Sequence, residues 1–260
     1  MLARMARVLV LLVGGVMAAV LGRPADAAQV VRVGGYDFPP FVETENGKTT
    51  GLTMHLIDAL NQMQPDYRFE FVPVSARRRY GDLEAGAFDV MFFESPQWEW
   101  QDRKLAVDFT KVFLHGGEVY VAQAKDGRGQ DYFDDLTTKS LVGILGYHYG
   151  FAGFDADPEH LAKRFDIKLV NSHKSTIELV LNGRRDIGVV TLSYLRRYLR
   201  DNPKAKDQLL VSQRLDQPYD HRVLVRRGSA VSVEIMDMLM DRLAQHGLLA
   251  QALRDLAPVQ

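Results

Sequence analysis

The sequence predicts an α/β protein that folds as two lobes. Short apolar segments of strand length alternate along the chain with segments whose apolar residues recur at helical spacing. Strands that alternate with helices are typical of parallel βαβ units packed on both faces. Within residues 116–130 a strand passes into a polar, glycine-rich connection, after which a second strand-helix series begins. A return strand at residues 217–228 then leads into a last helix, which indicates a division into two lobes.

The first part of the chain carries five predicted elements. They are a strand at residues 30–36, a helix at 52–63, a strand at 69–74, a helix at 76–86 and a strand at 88–93. The first helix has apolar residues at helical spacing and stops before Pro65, and the second stops at Gly86. The strand FDVMFF is apolar almost throughout, which indicates burial on both faces.

The second part of the chain repeats this alternation of strands and helices. Its predicted strands are SLVGIL at residues 140–145, DIKLV at 166–170, DIGVV at 186–190 and LLV at 209–211, with helical patterns between them. The last helix is indicated by apolar residues at helical spacing, namely Met236, Leu239, Met240 and Leu243.

The N-terminus has the three-part layout of a secretory signal peptide. Arg4 and Arg7 precede an apolar run at residues 8–21, and small residues before Ala27 offer a cleavage site. We therefore predict that residues 1–27 are a signal peptide. The alternative is an uncleaved membrane anchor, for which the apolar run is short because a spanning helix usually needs about 20 apolar residues.

The cysteine content and the net charge exclude several kinds of site and partner. The chain has no cysteine, which excludes disulfides, thiolate metal ligands and lipid attachment at an N-terminal cysteine. Loss of the signal peptide would change the formal charge from -1 to -3, because three arginines and one aspartate leave with it. Such a balance lacks the basic footprint of a nucleic-acid-binding protein.

Five segments, in order, carry a resemblance to a known family. They are GYDFPPFVETENGKTTGL, LEAGAFDVMF, DRKLAVDFTKVFLHGG, DDLTTKSLVGILGY and LVLNGRRDIGVV. Together they resemble the periplasmic solute-binding proteins of the amino-acid type, family 3, which are the receptors of ABC importers. The resemblance runs from about residue 31 to residue 257.

This resemblance implies the type II periplasmic binding protein fold, with a cleft between two lobes and two hinge crossings. Crossings near Ala122 and His221 would assign residues 28–122 and 222–260 to lobe 1. Residues 123–221 would then form lobe 2. Ligand contacts in such folds lie at strand C-termini and helix N-termini, where backbone N–H groups favour anions.

The implied function is that of a periplasmic receptor. It would capture a small polar or aromatic or cationic solute, amino-acid-like or an amine, and deliver it to an ABC permease. The protein is expected to be a monomer that needs no cofactor, binds no nucleic acid and is not an enzyme. Two alternatives stay open: a receptor that signals to a membrane sensor, and an enzyme on the same fold similar to the cyclohexadienyl dehydratases. The sequence has no Gly-x-Ser-x-Gly elbow, cysteine nucleophile or P-loop.

Arg103 aligns with the family arginine that clamps the α-carboxylate of a ligand. A guanidinium group offers a planar fork of donors that matches the two oxygens of a carboxylate. The spacing departs from the family, because the stretch between Asp89 and Arg103 is about two residues longer and Trp100 replaces the usual threonine. The alternative is a surface arginine that pairs with Asp102 or Asp108.

The remaining departures make an ordinary α-amino acid doubtful. Thr191 stands where the family's aspartate holds the α-ammonium group, and bulky residues 147–149 stand where the family has Gly-Thr. Glu94, at the end of a strand, is a candidate partner for a cation instead. The two tryptophans of the chain would form aromatic walls, which bind cations and flat rings; alternatively, one packs in the core and the other lies on the surface.

The predicted ligand-binding residues therefore share positions at strand ends or helix starts that face the cleft. From lobe 1 they are Phe38, Phe41, Glu94, Trp98, Trp100 and Arg103, and from lobe 2 they are Tyr147, His148 and Thr191.

The histidines and a run of three arginines are the remaining candidate functional residues. Seven histidines are scattered along the chain, and no pair has ligand spacing such as His-x-x-x-His, so no metal site is predicted. The run Arg77-Arg78-Arg79 begins a predicted helix near the cleft. It either reaches an anionic ligand with one guanidinium group or forms a solvated face.

Overall fold

The computed structural model describes residues 27–254. The predicted signal peptide lies outside these residues except for Ala27. Within them, every helix is too short or too polar to cross a membrane.

The strands are β1 Gln29–Gly35, β2 Glu43–Glu45, β3 Lys48–Thr50, β4 Tyr67–Pro73, β5 Val90–Glu94, β6 Val107–Phe109, β7 Leu114–Gln123, β8 Leu141–Ile144, β9 Ile167–Val170, β10 Ile187–Thr191 and β11 Leu209–Arg226. The α-helices are α1 Leu52–Met63, α2 Arg79–Glu84, α3 Pro158–Arg164, α4 His173–Leu181, α5 Leu192–Asp201, α6 Pro203–Lys206, α7 Val233–Gln245 and α8 Leu248–Ala252.

Each lobe is built on a group of parallel strands. In one lobe β1 pairs in parallel with β4 and β5, and in the other β8 pairs in parallel with β9 and β10. Helix α1, whose bounds match the prediction, packs against β4, and α4 packs against β10. All five residues of β5 are buried, as the apolar run FDVMFF predicts.

The chain crosses between the lobes in two long antiparallel strands. β7 pairs with β11 from Leu114 opposite His221 to Gln123 opposite Leu209, and β11 continues to pair with β5 and β6. These two strands lie outside the parallel βαβ pattern, because a chain that leaves a lobe and returns beside its own path must run antiparallel. The predicted strand at residues 209–211 lies within β11, and the one predicted at 217–228 does so up to Arg226, where β11 ends. Irregular pairing between them interrupts the apolar alternation.

The strands of both lobes thus meet in one sheet through β11, while β2 and β3 form a separate hairpin. Ala122 pairs with Leu210, and His221 pairs with Leu114, so the two predicted crossing points lie towards opposite ends of the β7–β11 ladder. The residue bounds of the lobes stay a prediction.

Helix α2 is shorter than predicted. It begins at Arg79, after a turn in which the Arg79 amide donates to the Ser75 carbonyl oxygen, and it ends before Gly86, whose φ is 67°. Because the helix begins at the third arginine of the run, Arg79 is buried, whereas Arg77 and Arg78 are exposed. Arg77 and Arg78 therefore form a solvated face, whereas Arg79 lies in the interior.

Candidate functional site

A small cavity lies where the two crossing strands meet loops of both lobes. Its lining consists of residues after β1, after β5 and after β8, together with residues of β7 and β11. They are Tyr36, Phe38, Trp98, Glu118, Gly146, Tyr147, His148 and Tyr219. The volume of about 10 Å³ is close to the space that a single water molecule needs.

Aromatic rings form most of the cavity wall. Phe38 meets Trp98 edge to face at 5.8 Å between ring centroids, and it meets Tyr147 in the same way at 5.4 Å. Tyr219 approaches Trp98 edge to face at 5.2 Å. A tight turn holds Phe38, because its carbonyl oxygen accepts from the amides of Phe41 and Val42. The wall therefore presents ring faces and edges contributed by both lobes.

Gln217 connects the cavity wall across the two lobes. Its side-chain oxygen accepts from Trp98 Nε1 at 3.0 Å, and its Nε2 donates to Glu118 Oε2 at 3.1 Å and to the His148 carbonyl oxygen. In the β7–β11 ladder Gln217 stands opposite Glu118, next to the irregularity that contains Asp216.

Glu118 places a carboxyl group in the cavity lining, where it is fully buried. Burial raises the pKa of Glu118 to about 8, and the negative charge of Asp216 adds to this effect. The side chain is therefore mostly protonated at pH 7. Sequence reasoning missed Glu118, although an acidic residue inside the apolar strand GGEVYVAQ is a signal for a buried polar group.

A buried ion pair lies behind the cavity. Arg79 Nε is 3.9 Å from Glu94 Oε2, and Trp100 Nε1 donates to the same oxygen at 2.6 Å. The Arg79 guanidinium also lies 4.9 Å from the ring centre of Tyr36. Burial raises the pKa of Glu94, while the charge of Arg79 and the Trp100 hydrogen bond oppose this rise. This pair places a guanidinium group and a carboxyl group side by side in the interior, next to the aromatic wall.

The backbone of β5 explains the position of Glu94. Phe93, just before it, has a φ of 62°, in the left-handed region that side chains rarely adopt. The pairing of β5 with β11 shifts register at this point. Such bulges redirect side chains, and here the shift accompanies the turn of the Glu94 carboxylate into the protein interior.

His148 joins the buried pair to the edge of the cavity. Arg79 Nη2 lies 3.3 Å from His148 Nδ1, and because a guanidinium group can only donate, Nδ1 must accept. The proton is then on Nε2, which lies 3.3 Å from Glu99 Oε1. Burial lowers the pKa of His148 to about 4, so the ring is neutral at pH 7. Conversely, the hydrogen bond from His148 lowers the pKa of Glu99 to about 2.

Arg103 lies outside the cavity, on an adjoining groove of about 190 Å³. Its side chain is 48% exposed and pairs with Glu99, with Nε 2.8 Å from Oε2. Its guanidinium group packs over the ring of Tyr80 at 4.2 Å. The groove also contains Arg77 and Arg79. The predicted role of Arg103 as a carboxylate clamp stays a prediction.

The other predicted residues divide into two groups. Phe38, Trp98, Tyr147 and His148 line the cavity. Phe41, Glu94, Trp100 and Thr191 are buried outside its lining. Phe41 stacks on Phe93 at 4.3 Å, and Thr191 Oγ1 lies 3.0 Å from His173 Nε2. Tyr36 and Tyr219 line the cavity but were not predicted, because their approach depends on loop and strand pairing that local patterns do not encode.

Contacts between the lobes extend beyond the cavity. The Tyr147 hydroxyl donates to the Asp37 carbonyl oxygen at 3.0 Å. Arg197 on α5 forms a two-point ion pair with Glu43 on β2, and Nη2 lies 2.7 Å from Oε2. Across residues 27–254, histidine and acidic side chains form no group of three that could hold a metal ion.

Comparison with known proteins agrees with this architecture. The sequence pattern of the bacterial extracellular solute-binding proteins, family 3, matches residues 31–255. The probable amino-acid-binding protein YxeM of Bacillus subtilis (strain 168) is 26% identical over 147 residues, which are 56% of this chain and 53% of that protein. The matched part thus spans about half the length of this curated relative.

Two solved structures share the fold over most of their length. The GluR0 ligand-binding core in complex with L-glutamate has a TM-score of 0.68 and 18% identity, over 89% of this chain and 100% of that chain. A putative binding component of an ABC transporter from Wolinella succinogenes DSM 1740, complexed with lysine, has a TM-score of 0.67 and 18% identity, over 86% and 94%. The predicted two-lobed fold class and the predicted family are confirmed. The chain belongs to the bacterial extracellular solute-binding proteins, family 3.

Proposed function

We propose that this protein is a periplasmic receptor that captures a small solute, amino-acid-like or an amine, between its lobes and delivers it to an ABC permease. The observation that carries this proposal is the ring-lined cavity at the junction of the two crossing strands. Aromatic walls bind cationic groups and flat rings. The name of YxeM and the lysine complex of the Wolinella succinogenes protein support an amino-acid-like solute.

In this proposal the solute contacts Phe38, Trp98, Tyr147 and His148, which line the cavity. Arg103 and the buried predicted residues Phe41, Glu94, Trp100 and Thr191 would reach the solute only after a rearrangement of the cleft. Export through cleavage after residue 27 and action as a monomer, without a cofactor and without nucleic acid, complete the proposal.

Two observations support functions other than delivery to a permease. The likeness to the GluR0 ligand-binding core supports a receptor that signals to a membrane sensor. The protonated Glu118 in an aromatic cavity has the character of a general acid, which supports an enzyme on the same fold. We favour capture without conversion, because the family consists of solute-binding proteins.

A thermal-shift screen tests solute capture. A ligand at 100 times its dissociation constant stabilises a protein by about 2.7 kcal/mol. For a chain of this size that corresponds to a rise in Tm of roughly 5–10 °C. We expect such a rise from at least one member of a library of amino acids, amines, small peptides and aromatic acids. Mass spectrometry of the same samples shows whether the solute is returned unchanged, as a receptor requires, or converted, as an enzyme requires.

Two variants make the screen specific for the cavity. Trp98→Ala, which removes a cavity wall, should lose the ligand-induced rise measured from its own baseline. Met238→Ala should keep it, because Met238 is exposed on α7. A flat response of the unsubstituted protein across the whole library would contradict solute capture.

Substitution of Arg103 tests the carboxylate clamp. Arg103→Ala is expected to weaken binding of a carboxylate-bearing solute by more than about tenfold, because a lost bidentate charged contact in a closed cleft is costly. The Tm should change little, since the exposed pair with Glu99 contributes at most about 1 kcal/mol. Calorimetry with the solute carried through purification measures the affinity. Arg77→Ala, on the same groove, is the control, and normal binding by Arg103→Ala would place the clamp elsewhere.

A further inference from the structure

We propose that Glu118 binds the cationic group of the solute, an organic ammonium or guanidinium group, and that it releases its own proton when the cation binds. This inference rests on the proposed function, because it assigns a ligand class to the same cavity. It assigns to a strand residue the role that the sequence predicts for Glu94.

The first argument is the unused acceptor capacity of the Glu118 carboxyl group. Oε2 accepts from Gln217, whereas Oε1 forms no hydrogen bond of ordinary geometry in the described part of the chain. The Tyr219 hydroxyl is near enough to the carboxyl group to favour its ionised form, but it does not satisfy Oε1. An unsatisfied polar atom in a buried site is costly, so such groups are usually paired. A cation inside the cavity would provide the missing donor.

The second argument is that the neighbouring carboxylates are already engaged. Glu94 has Arg79 and Trp100 as partners at Oε2, and although its Oε1 also lacks a hydrogen bond, the residue lies outside the cavity lining. Glu99 has Arg103 and His148 as partners. Asp216 accepts from the Tyr120 hydroxyl and from the backbone amides of residues 150 and 151. Of the carboxyl groups around the cavity, Glu118 is the one that lines it.

The third argument is the chemistry of the walls. Phe38, Trp98 and Tyr147 surround the cavity on which Glu118 borders. Aromatic faces attract cations, more strongly when water is excluded. Rings and one carboxylate together select a cation with apolar substituents over an anion or a neutral solute.

Binding should be coupled to the loss of one proton. The titratable groups that face Glu118 are Asp216, Tyr147, Tyr149, Tyr219 and His148. Burial raises the pKa of the three tyrosines well above 10, and it lowers the pKa of His148 to about 4. Asp216 also has a raised pKa through burial, but three hydrogen bonds oppose the rise. Glu118, with its pKa of about 8, changes charge near neutrality.

Isothermal titration calorimetry tests the inference with defined cations. The probes are L-arginine, L-lysine, methylammonium and tetramethylammonium, and the anionic comparison is L-glutamate and benzoate. At pH 6.5, in buffers of different ionisation enthalpy, binding of a cation should release close to one proton. Affinity should rise about tenfold per pH unit up to pH 8 and then level off.

Glu118→Gln should bind the cation at least about thirtyfold more weakly at pH 8 and release no proton. Glutamine is isosteric and keeps the hydrogen bond to Gln217, so the variant should fold. The matched control is Asp220→Asn, which removes an exposed carboxylate from β11 and should bind like the unsubstituted protein.

Several outcomes would overturn the inference. Equal cation affinity in Glu118→Gln, or binding without proton release at pH 6.5, would each do so. The second measurement needs only the unsubstituted protein, so it decides the matter even if the variant does not fold. Binding of anionic or neutral solutes alone would leave the receptor function in place and remove the role of Glu118. Binding of nothing in either the panel or the library would reject both.

Discussion

Replacing Arg79 with methionine is expected to lower the free energy of unfolding by about 3–5 kcal/mol. The side chains of Arg79 and Glu94 are each 1% exposed. Removing one partner of a buried ion pair leaves the other charge uncompensated in the interior, and this is far more costly than losing an exposed pair. Urea unfolding at pH 7 measures the change.

The arginine run provides its own control for this prediction. Arg78→Met changes the neighbouring, exposed residue and should leave stability nearly unchanged. The double variant Arg79→Met with Glu94→Gln should recover part of the loss, because the uncompensated carboxylate is gone. If Arg79→Met unfolds within about 1 kcal/mol of the unsubstituted protein, the pair does not hold the interior together.

Replacing Glu118 with glutamine is expected to stabilise the protein at alkaline pH. The pKa of this carboxyl rises from an ordinary value of 4.5 to about 8 in the folded protein. The unsubstituted protein is therefore fully stable with respect to this group below pH 4.5. It loses stability as the pH rises towards 8, because the unfolded chain gives up the proton first. Each pKa unit is worth about 1.4 kcal/mol, so a shift from 4.5 to about 8 amounts to a loss of about 5 kcal/mol at pH 9.

Glutamine cannot ionise, so the difference between the two proteins should grow from near zero at pH 4 to about 5 kcal/mol at pH 9. Urea midpoints at pH 4, 6.5 and 9 measure it, and the effects of titrating groups that do not interact with Glu118 cancel in the difference. The control Asp220→Asn should show no such growth. Parallel stability curves for Glu118→Gln and the unsubstituted protein would mean that Glu118 is not held protonated.

Local patterns predicted the elements of the fold well where side-chain periodicity alone determines them. Helix α1 begins and ends at the predicted residues, and β5 is buried along its whole length. The crossing strands were harder to predict, because the pairing of β7 with β11 joins residues about 100 positions apart in the sequence. An irregularity around Asp216 also disrupts the alternation of apolar and polar residues along β11. The predicted extra length of α2 failed for a local reason, since residues 76–78 form a turn.

The candidate site was predicted in part, because loop motifs indicate which residues approach the cleft but not how deeply they sit. Trp98 and Trp100 are two positions apart, yet the first lines the cavity and the second covers Glu94. Arg79 is identical to its two neighbours in the sequence, and only the start of the helix distinguishes it. Glu118 on β7 could be recognised as a cavity residue only from the pairing of β7 with β11.

The small volume of the cavity has a consequence for the rate of solute capture. A space of about 10 Å³ admits no amino acid or amine, so association proceeds through molecules whose lobes have separated. The apparent dissociation constant is then the intrinsic one divided by the fraction of open molecules. The ion pair of Arg197 with Glu43 joins the lobes outside the cavity lining, so it favours the closed form and lowers that fraction without needing to touch the solute. Residues remote from the cavity can therefore adjust how quickly the receptor fills and empties.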